Sequence, residues 1–538
     1  MKQIDIPLVK DRDRTYRWFE RLPGLLSWLT LSLPIILSII NPTLAAYFVI
    51  AYLLMWLVKA IALNIRMTQG YRRLNQHMSY DWYKMTEELD DPEKAFKQYE
   101  EGISPPWHYK NLIARSVRKD TGDIRRLKDL KQLVIIAVYN ESLDIVEPTI
   151  QTVLKSSFDP KKIIVAIAYE QRGGEKVKAD MQALAEKYSN KFYSMHAIEH
   201  PENIPNEVIG KGGNITYTGR WAKVYLEAEK IDPINVLVTT LDADNRPHPE
   251  YFSSVAYAYL GCPDPLRSSF QPISMYTNNI WDVPAPMRVI ATGNSFWNIA
   301  LALRPHMIRN FASHSQGMQS LIETDFWSTR TIVEDGHQYW RSYFAFDGKY
   351  EVYPIMVPIY QDAVLASSYF KTLRAQFVQV RRWAWGASDV AYVLQMGWRR
   401  RNHIPKTDLF FKTARLIEGH VSWATASLIL LLAAFAPLYL APQASESVVA
   451  NQLPIIASRI QTLAMVGLFV GIYLSIRLLP PKPPRYKTRH RLYMILQWVY
   501  LPITTILYSS FAALNSQTRL LFGRYLGKFD VTEKVVKK

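Results

Sequence analysis

Cysteine is almost absent from this chain. Cys262 is the only one in 538 residues, so no intrachain disulfide can form and no cysteine-based zinc site can be built. No internal repeat and no low-complexity tract is present. Charge is missing in places: residues 421–442, 460–476 and 492–518 contain no Asp, Glu, Lys or Arg. Residues 24–41 and 44–64 hold only Lys59, near enough to an end for its stem to snorkel. Comparable apolar runs are absent from the long middle of the chain.

The apolar fraction of 49% is that of an ordinary soluble protein, so only its distribution is informative. About 20 apolar residues cross a hydrocarbon core of ~30 Å at ~1.5 Å per residue. Such stretches, clustered at the two ends, argue for membrane spans over buried helices of one soluble core. The first stretch is not expected to be a cleaved leader, because it lacks a small-residue cleavage site and a second span follows at once.

Basic residues give the orientation. Lys2, Lys10, Arg12, Arg14, Arg17 and Arg21 precede the first span, and Arg66, Arg72 and Arg73 follow the second. Arg399, Arg400 and Arg401 precede the third, and Lys482, Arg485, Lys487, Arg489 and Arg491 crowd residues 480–491. Residues 443–458, by contrast, carry only Glu446. The N-terminus, the middle region and the 480–491 loop are therefore expected in the cytoplasm, on a multi-pass protein of the plasma membrane. The net charge of +17 has the same origin, basic loops against an anionic leaflet. No recognition motif supports a nucleic-acid partner. The last stretch is interrupted by Pro502 and is the most polar, and a full crossing there would leave the basic tail outside. A bent, re-entrant or partly interfacial segment, four full crossings and a cytoplasmic C-terminus are expected.

Within the middle region LVIIAV (133–138), IIVAIA (163–168) and VLVTTL (236–241) are short, unbroken apolar runs ending in polar residues. Such runs suggest strands covered on both faces, as in a parallel α/β sheet, with the polar residues at the carboxyl edge where ligands bind. After residue 371, Phe377, Val380, Trp383, Ala387, Ala391 and Leu394 recur at helical spacing beside Arg374, Arg381 and Arg382. A basic amphipathic helix just before a span reads as one lying in the membrane interface.

Three small motifs carry chemistry. Asp242 and Asp244 follow the third run directly; two carboxylates one residue apart can hold a divalent cation on a diphosphate, or simply make an Asx turn. Glu334 and Asp335 suit a general base or a helix N-cap equally. Arg382 offers a planar donor fork to a diphosphate and Trp383 a flat face to a sugar, although a basic helix resting on lipid would look the same.

Their order resembles the processive membrane branch of glycosyltransferase family 2, which holds the cellulose, hyaluronan and poly-N-acetylglucosamine synthases. The resemblance runs over about residues 130–395 by motif: YNE, a second-strand acid, D-x-D, E-D and QVRRW. It implies a GT-A fold, a Rossmann-like, nucleotide-sugar-binding α/β domain, inserted between N- and C-terminal transmembrane helices with amphipathic interface helices. It places Tyr139, Asn140, Glu141 and Glu170 at the nucleoside and Lys211 near the diphosphate. Asp242 would contact the nucleotide, and Asp244 with Asp242 would hold Mg2+ or Mn2+. Asp335, beside Glu334, would be the base, and Gln379, Arg382 and Trp383 would close the site over diphosphate and acceptor. The sequence departs from the pattern at Val333, where threonine is usual. The asparagine after the lysine falls on Thr216, or on Asn214 with a gap, and FASHSQGMQSL (311–321) matches the acceptor loop only loosely.

The division expected is 1–66 cytoplasmic N-terminus and transmembrane hairpin, 67–129 cytoplasmic connection and 130–370 catalytic domain. Residues 371–416 follow as interface helices, 417–518 as the C-terminal transmembrane region and 519–538 as the basic tail. The expected activity is inverting transfer of a sugar from a nucleotide sugar, a UDP-sugar by preference, to a hydroxyl of a growing polysaccharide. Transfer of one sugar to a lipid is the alternative. A transporter is disfavoured because no charge lies mid-span, and a sugar-sensing pseudoenzyme because every catalytic carboxylate is present.

Overall fold

A computed structural model describes residues 4–98, 105–120, 125–441 and 446–527. The three apolar runs are strands Lys131–Val138 (β1), Ile163–Glu170 (β2) and, after Ser194–His200 (β3), Val236–Asp242 (β4). All four run parallel, β1 lying between β2 and β4. Side chains alternate across the sheet: Val134, Ile136, Val165 and Ile167 enter one apolar cluster, and Leu133, Ile135, Ile164 and Ala166 enter the other. Burial on both faces is why the runs are unbroken.

Arg246–Pro247 (β5), Ser268–Met275 (β6), Ser315–Gly317 (β7) and Glu351–Tyr360 (β8) complete one mixed sheet of order 3-2-1-4-7-6-8-5. The first four strands keep the order of a doubly wound nucleotide-binding sheet. Next, β7 is antiparallel to both β4 and β6, and β8 lies parallel to β6.

The segment 67–129, read from sequence as a connection, brings helices Trp82–Asp90, Pro92–Gln98 and Pro106–Asp120. Trp82, Met85, Leu89 and Leu112 are buried in the cluster that covers one sheet face. The amphipathic stretch after 371 is two helices, Tyr369–Ala384 and Asp389–Arg399, joined by a 3-10 turn at Trp385–Ser388. Val380, Ala387 and Ala391 of its apolar stripe are buried against protein.

Among the described residues, five helices are long and apolar enough to cross a membrane: Arg14–Ile40, Pro42–Ser79, Lys406–Leu440, Val448–Arg477 and His490–Leu521. Ile40, Tyr439 and Phe469 on them are 72%, 83% and 73% exposed, so their burial is left to something other than protein. The fifth is broken by a 3-10 turn at Gln497–Tyr500 and a π turn at Thr505–Ser510, around Pro502. Near its start the Gln497 amide oxygen accepts from Arg288; near its end the Ser516 hydroxyl donates to the Arg381 carbonyl. The FDVTEK ending and the rest of the tail from 528 lie outside the described residues.

Candidate active site

The carboxyl ends of β1, β2 and β4 open on a cavity of about 530 Å³. Tyr139, Glu141, Glu170, Lys211, Asp242, Asp244, Gln379, Arg382 and Trp383 all line it. Asn140 does not; its backbone N–H donates to Glu141 Oε2 at 3.2 Å, as does that of Tyr139 at 2.8 Å.

The D-x-D segment is a tight turn closed by backbone and by the Asn245 side chain. The Asp242 N–H donates to Asn245 Oδ1 (2.9 Å) and the Asn245 N–H to the Asp242 carbonyl (3.0 Å). Ala243 is buried in the core and Thr149 Oγ1 donates to its carbonyl at 2.7 Å. With Ala243 pinned, both carboxylates stand at the cavity wall. The turn and the site are one structure.

Lys211 opens the helix Lys211–Ala228, whose N-terminus faces the cavity, a ready anion site. Its Nζ lies 2.8 Å from Asp242 Oδ1 and 3.3 Å from Asp335 Oδ2. Burial alone would lower the ammonium pKa; the Asp242, Asp335 and Glu334 carboxylates outweigh it and hold the pKa raised. Asn214, on the next turn, donates its amide to the Val138 and Ala168 carbonyls (3.3 and 2.8 Å), tying β1 to β2. Thr216 donates to the Trp327 carbonyl at 2.9 Å, away from the cavity lining.

Glu334 and Asp335 begin the helix Glu334–Ala345. Asp335 is outside the lining and joins it only through Lys211. Its Oδ1 is buried without a hydrogen-bond partner, with His314 Nδ1 3.9 Å away. His314 Nδ1 donates to the Phe311 carbonyl (2.9 Å) and Nε2 accepts from Trp327 (3.4 Å), a neutral tautomer in keeping with a pKa lowered by burial. Glu334 is fully buried; burial and then the neighbouring Asp335 charge raise its pKa.

Tyr276 packs on Trp383, ring centroids 6.0 Å apart, and burial with the charges of Asp242 and Asp244 raises its pKa. Tyr276 thus links the acidic turn to the QVRRW helix. At the opposite end, Arg172 Nε donates to Glu170 Oε2 at 3.1 Å and its guanidinium lies over the Tyr139 ring at 5.3 Å. Tyr276, Arg172, Asn279 and Asp362 line the cavity without any motif announcing them. Asn279 holds Ala363 by donating to its carbonyl and accepting from its N–H (2.9 and 2.8 Å), while the Asp362 N–H donates to Asp244 Oδ2 at 3.1 Å. Arg172 follows β2, Tyr276 and Asn279 follow β6, and Asp362 follows β8, so only the sheet topology brings them to one edge.

Among the described residues no group of three or more His, Cys, Asp or Glu side chains could hold a metal. The pair Asp242 and Asp244 does fit a hard cation that takes its other ligands from a diphosphate and water, since one or two carboxylates suffice there.

No family model matches the chain, and no curated protein matches it. Among solved structures, it is similar to the mannosyltransferase PcManGT from Pyrobaculum calidifontis in complex with GDP-Man and Mn2+ (13% identity, 86% of this chain, 100% of that one, TM-score 0.39). S. aureus TarS 1–349 with UDP-GlcNAc (12%, 63% and 91%, TM-score 0.30) and GalNAc-T7 with UDP, GalNAc and Mn2+ (10%, 59% and 67%, TM-score 0.32) are similar too.

Proposed function

We propose that the chain is a membrane glycosyltransferase with a GT-A domain on the cytoplasmic side of the plasma membrane, of the processive family 2 kind. It would transfer a sugar, with inversion, from a nucleotide sugar to a hydroxyl of a growing polysaccharide. The observation that supports this best is the bridge made by Lys211 between Asp242 at a strand end and Asp335 on another helix. It sets a carboxylate suited to a base within two short contacts of a diphosphate-type site.

In this reading the nucleoside lies between Tyr139 and Glu170, and the diphosphate lies over Lys211, the helix N-terminus and Arg382. Asp335 takes the proton of the acceptor hydroxyl as its oxygen attacks the anomeric carbon. The bond from that carbon to the diphosphate oxygen breaks, and the nucleoside diphosphate departs. Lys211 and Arg382 offset the negative charge that develops there, usually the largest catalytic contribution. Asp244 and Asp242 would hold Mg2+ or Mn2+, which supplies further positive charge at the same oxygens. Burial and the Asp335 charge raise the Glu334 pKa, which favours its neutral form beside Asp335.

A lipid hydroxyl is the second acceptor to consider. It is favoured by the packing of the Trp383 helix against the apolar segment Phe511–Leu521. The metal assignment is tested by Asp244→Ala. Donor affinity measured calorimetrically, and its dependence on Mn2+, should fall together; unchanged, still metal-dependent binding would leave Asp244 a structural residue.

A further inference from the structure

Arg66, Arg304, His306, Arg309 and Arg415 come from three distant parts of the chain into electrostatic reach of one another, with Arg415 bonded to the His306 backbone. Arg66 lies on the helix Pro42–Ser79 and Arg415 on Lys406–Leu432, while the others follow the helix Ala285–Ala302 of the sheet domain. Arg415 Nη1 donates to the His306 carbonyl at 3.4 Å, and the Arg309 guanidinium lies over the Trp340 ring at 4.8 Å. The group is short of negative charge. Among the described residues no carboxylate lies within ion-pair distance of Arg66, Arg304, Arg309 or Arg415. Glu418 is near, but it pairs with Lys59 at 2.7 Å; Asp389, which faces Arg309, is engaged by His337 at 2.8 Å. Burial, then the charges of Arg66 and Arg415, lower the pKa of Arg304. His306 is lowered by burial and by Arg415, Arg304 and Arg66.

Cations that repel one another across three segments fit an anion between them. The surroundings say which kind. Arg66 follows the apolar stretch 44–64 and Arg415 precedes 421–442, so both stand at the same membrane face. Ile61, Ile65, Trp297 and Phe411 are exposed on the same helices. Apolar side chains flanking a cationic cluster suit an amphiphile, not a free ion. We propose that these five residues bind the phosphate headgroup of an anionic lipid of the cytoplasmic leaflet. The inference rests on the membrane placement and not on sugar transfer.

The test is native mass spectrometry of the full chain in detergent, titrated with phosphatidylglycerol or phosphatidylcholine. The wild type should retain one phosphatidylglycerol in preference to phosphatidylcholine. Arg304→Gln with Arg415→Gln should weaken that adduct about thirtyfold, at roughly fivefold per charge near a lipid surface. Lys487→Gln with Arg489→Gln, in the basic 480–491 loop, should leave it unchanged. Equal retention of the two lipids by the wild type would overturn the proposal without any variant. So would an equal loss in both double variants, which marks diffuse juxtamembrane attraction. Displacement of the adduct by millimolar inorganic phosphate would assign the cluster to free phosphate instead.

Discussion

Asp335 has one carboxylate oxygen 3.3 Å from the Lys211 ammonium and the other buried without a partner. A buried acceptor left unpaired costs free energy, and an incoming hydroxyl would satisfy it. Asp335→Asn keeps the shape and removes the basicity. It should lower turnover by roughly 10²–10⁴-fold while donor affinity stays near wild type. Calorimetric donor binding beside a turnover assay checks this, and turnover above a few per cent would remove Asp335 from the role. His200 offers a pH test at the nucleoside end. It lies 3.5 Å from Glu170 and 2.9 Å from Glu207. Burial lowers its pKa, but the nearby carboxylates of Glu170 and Glu207 prevail and raise it to about 9. A raised histidine pKa stabilises fully below its unfolded value of ~6.5, and the gain is lost as pH rises through the folded one. The difference in Tm between wild type and His200→Gln should therefore shrink between pH 6.5 and 9; a constant difference would mean that the pair is not ionic. These contacts had no sequence signature, because Glu170 and His200 meet through the register of β2 with β3 and Glu207 joins them from beyond the end of β3.

Elements were legible where burial was two-sided. β1, β2 and β4 stand out as branched apolar runs because both faces are covered. β3 does not, since SMHAIEH on the sheet edge is only half-buried and mixes polar with apolar residues, and β6 and β8 hide behind Ser, Gln and Pro (SSFQPISM, EVYPIMVPIY). The QVRRW helix was legible as amphipathic, but the turn at Trp385–Ser388 that folds its continuation into the core was not. The last apolar segment is where composition and geometry agree. Gly24 lets the helix Arg14–Ile40 approach so closely that a Cβ there would stand 2.7 Å from the Gln517 carbonyl. Arg17 donates to the Leu521 carbonyl at 3.0 Å, and the Gln517 amide to the His420 carbonyl at 2.7 Å. With Gln497 held by Arg288 at the other end, both ends of 490–521 rest on elements that the pattern of basic residues predicts to lie on the cytoplasmic side. A segment lying in the interface with a cytoplasmic C-terminus follows as a prediction. A Lys538→Cys chain, with Cys262→Ser, should resist a membrane-impermeant thiol reagent in intact cells. Ready labelling would mean a fifth full crossing.

At the scale of the whole molecule, the sheet presents its carboxyl edge toward the helix that bears Arg382 and Trp383. That helix in turn packs on an apolar segment able to enter the membrane. A soluble donor and an acceptor handed along the membrane could thus meet at one cavity, which is the central claim. Its most direct test is purified full-length protein with Mn2+, a panel of UDP- and GDP-sugars and a saccharide or lipid acceptor, followed by mass analysis. Growth of the acceptor by whole hexose units, with one nucleoside diphosphate released per unit and none from Asp335→Asn, is the result predicted. Nucleotide-sugar binding with no transfer to either acceptor class, or release unaffected by Asp335→Asn, would contradict it.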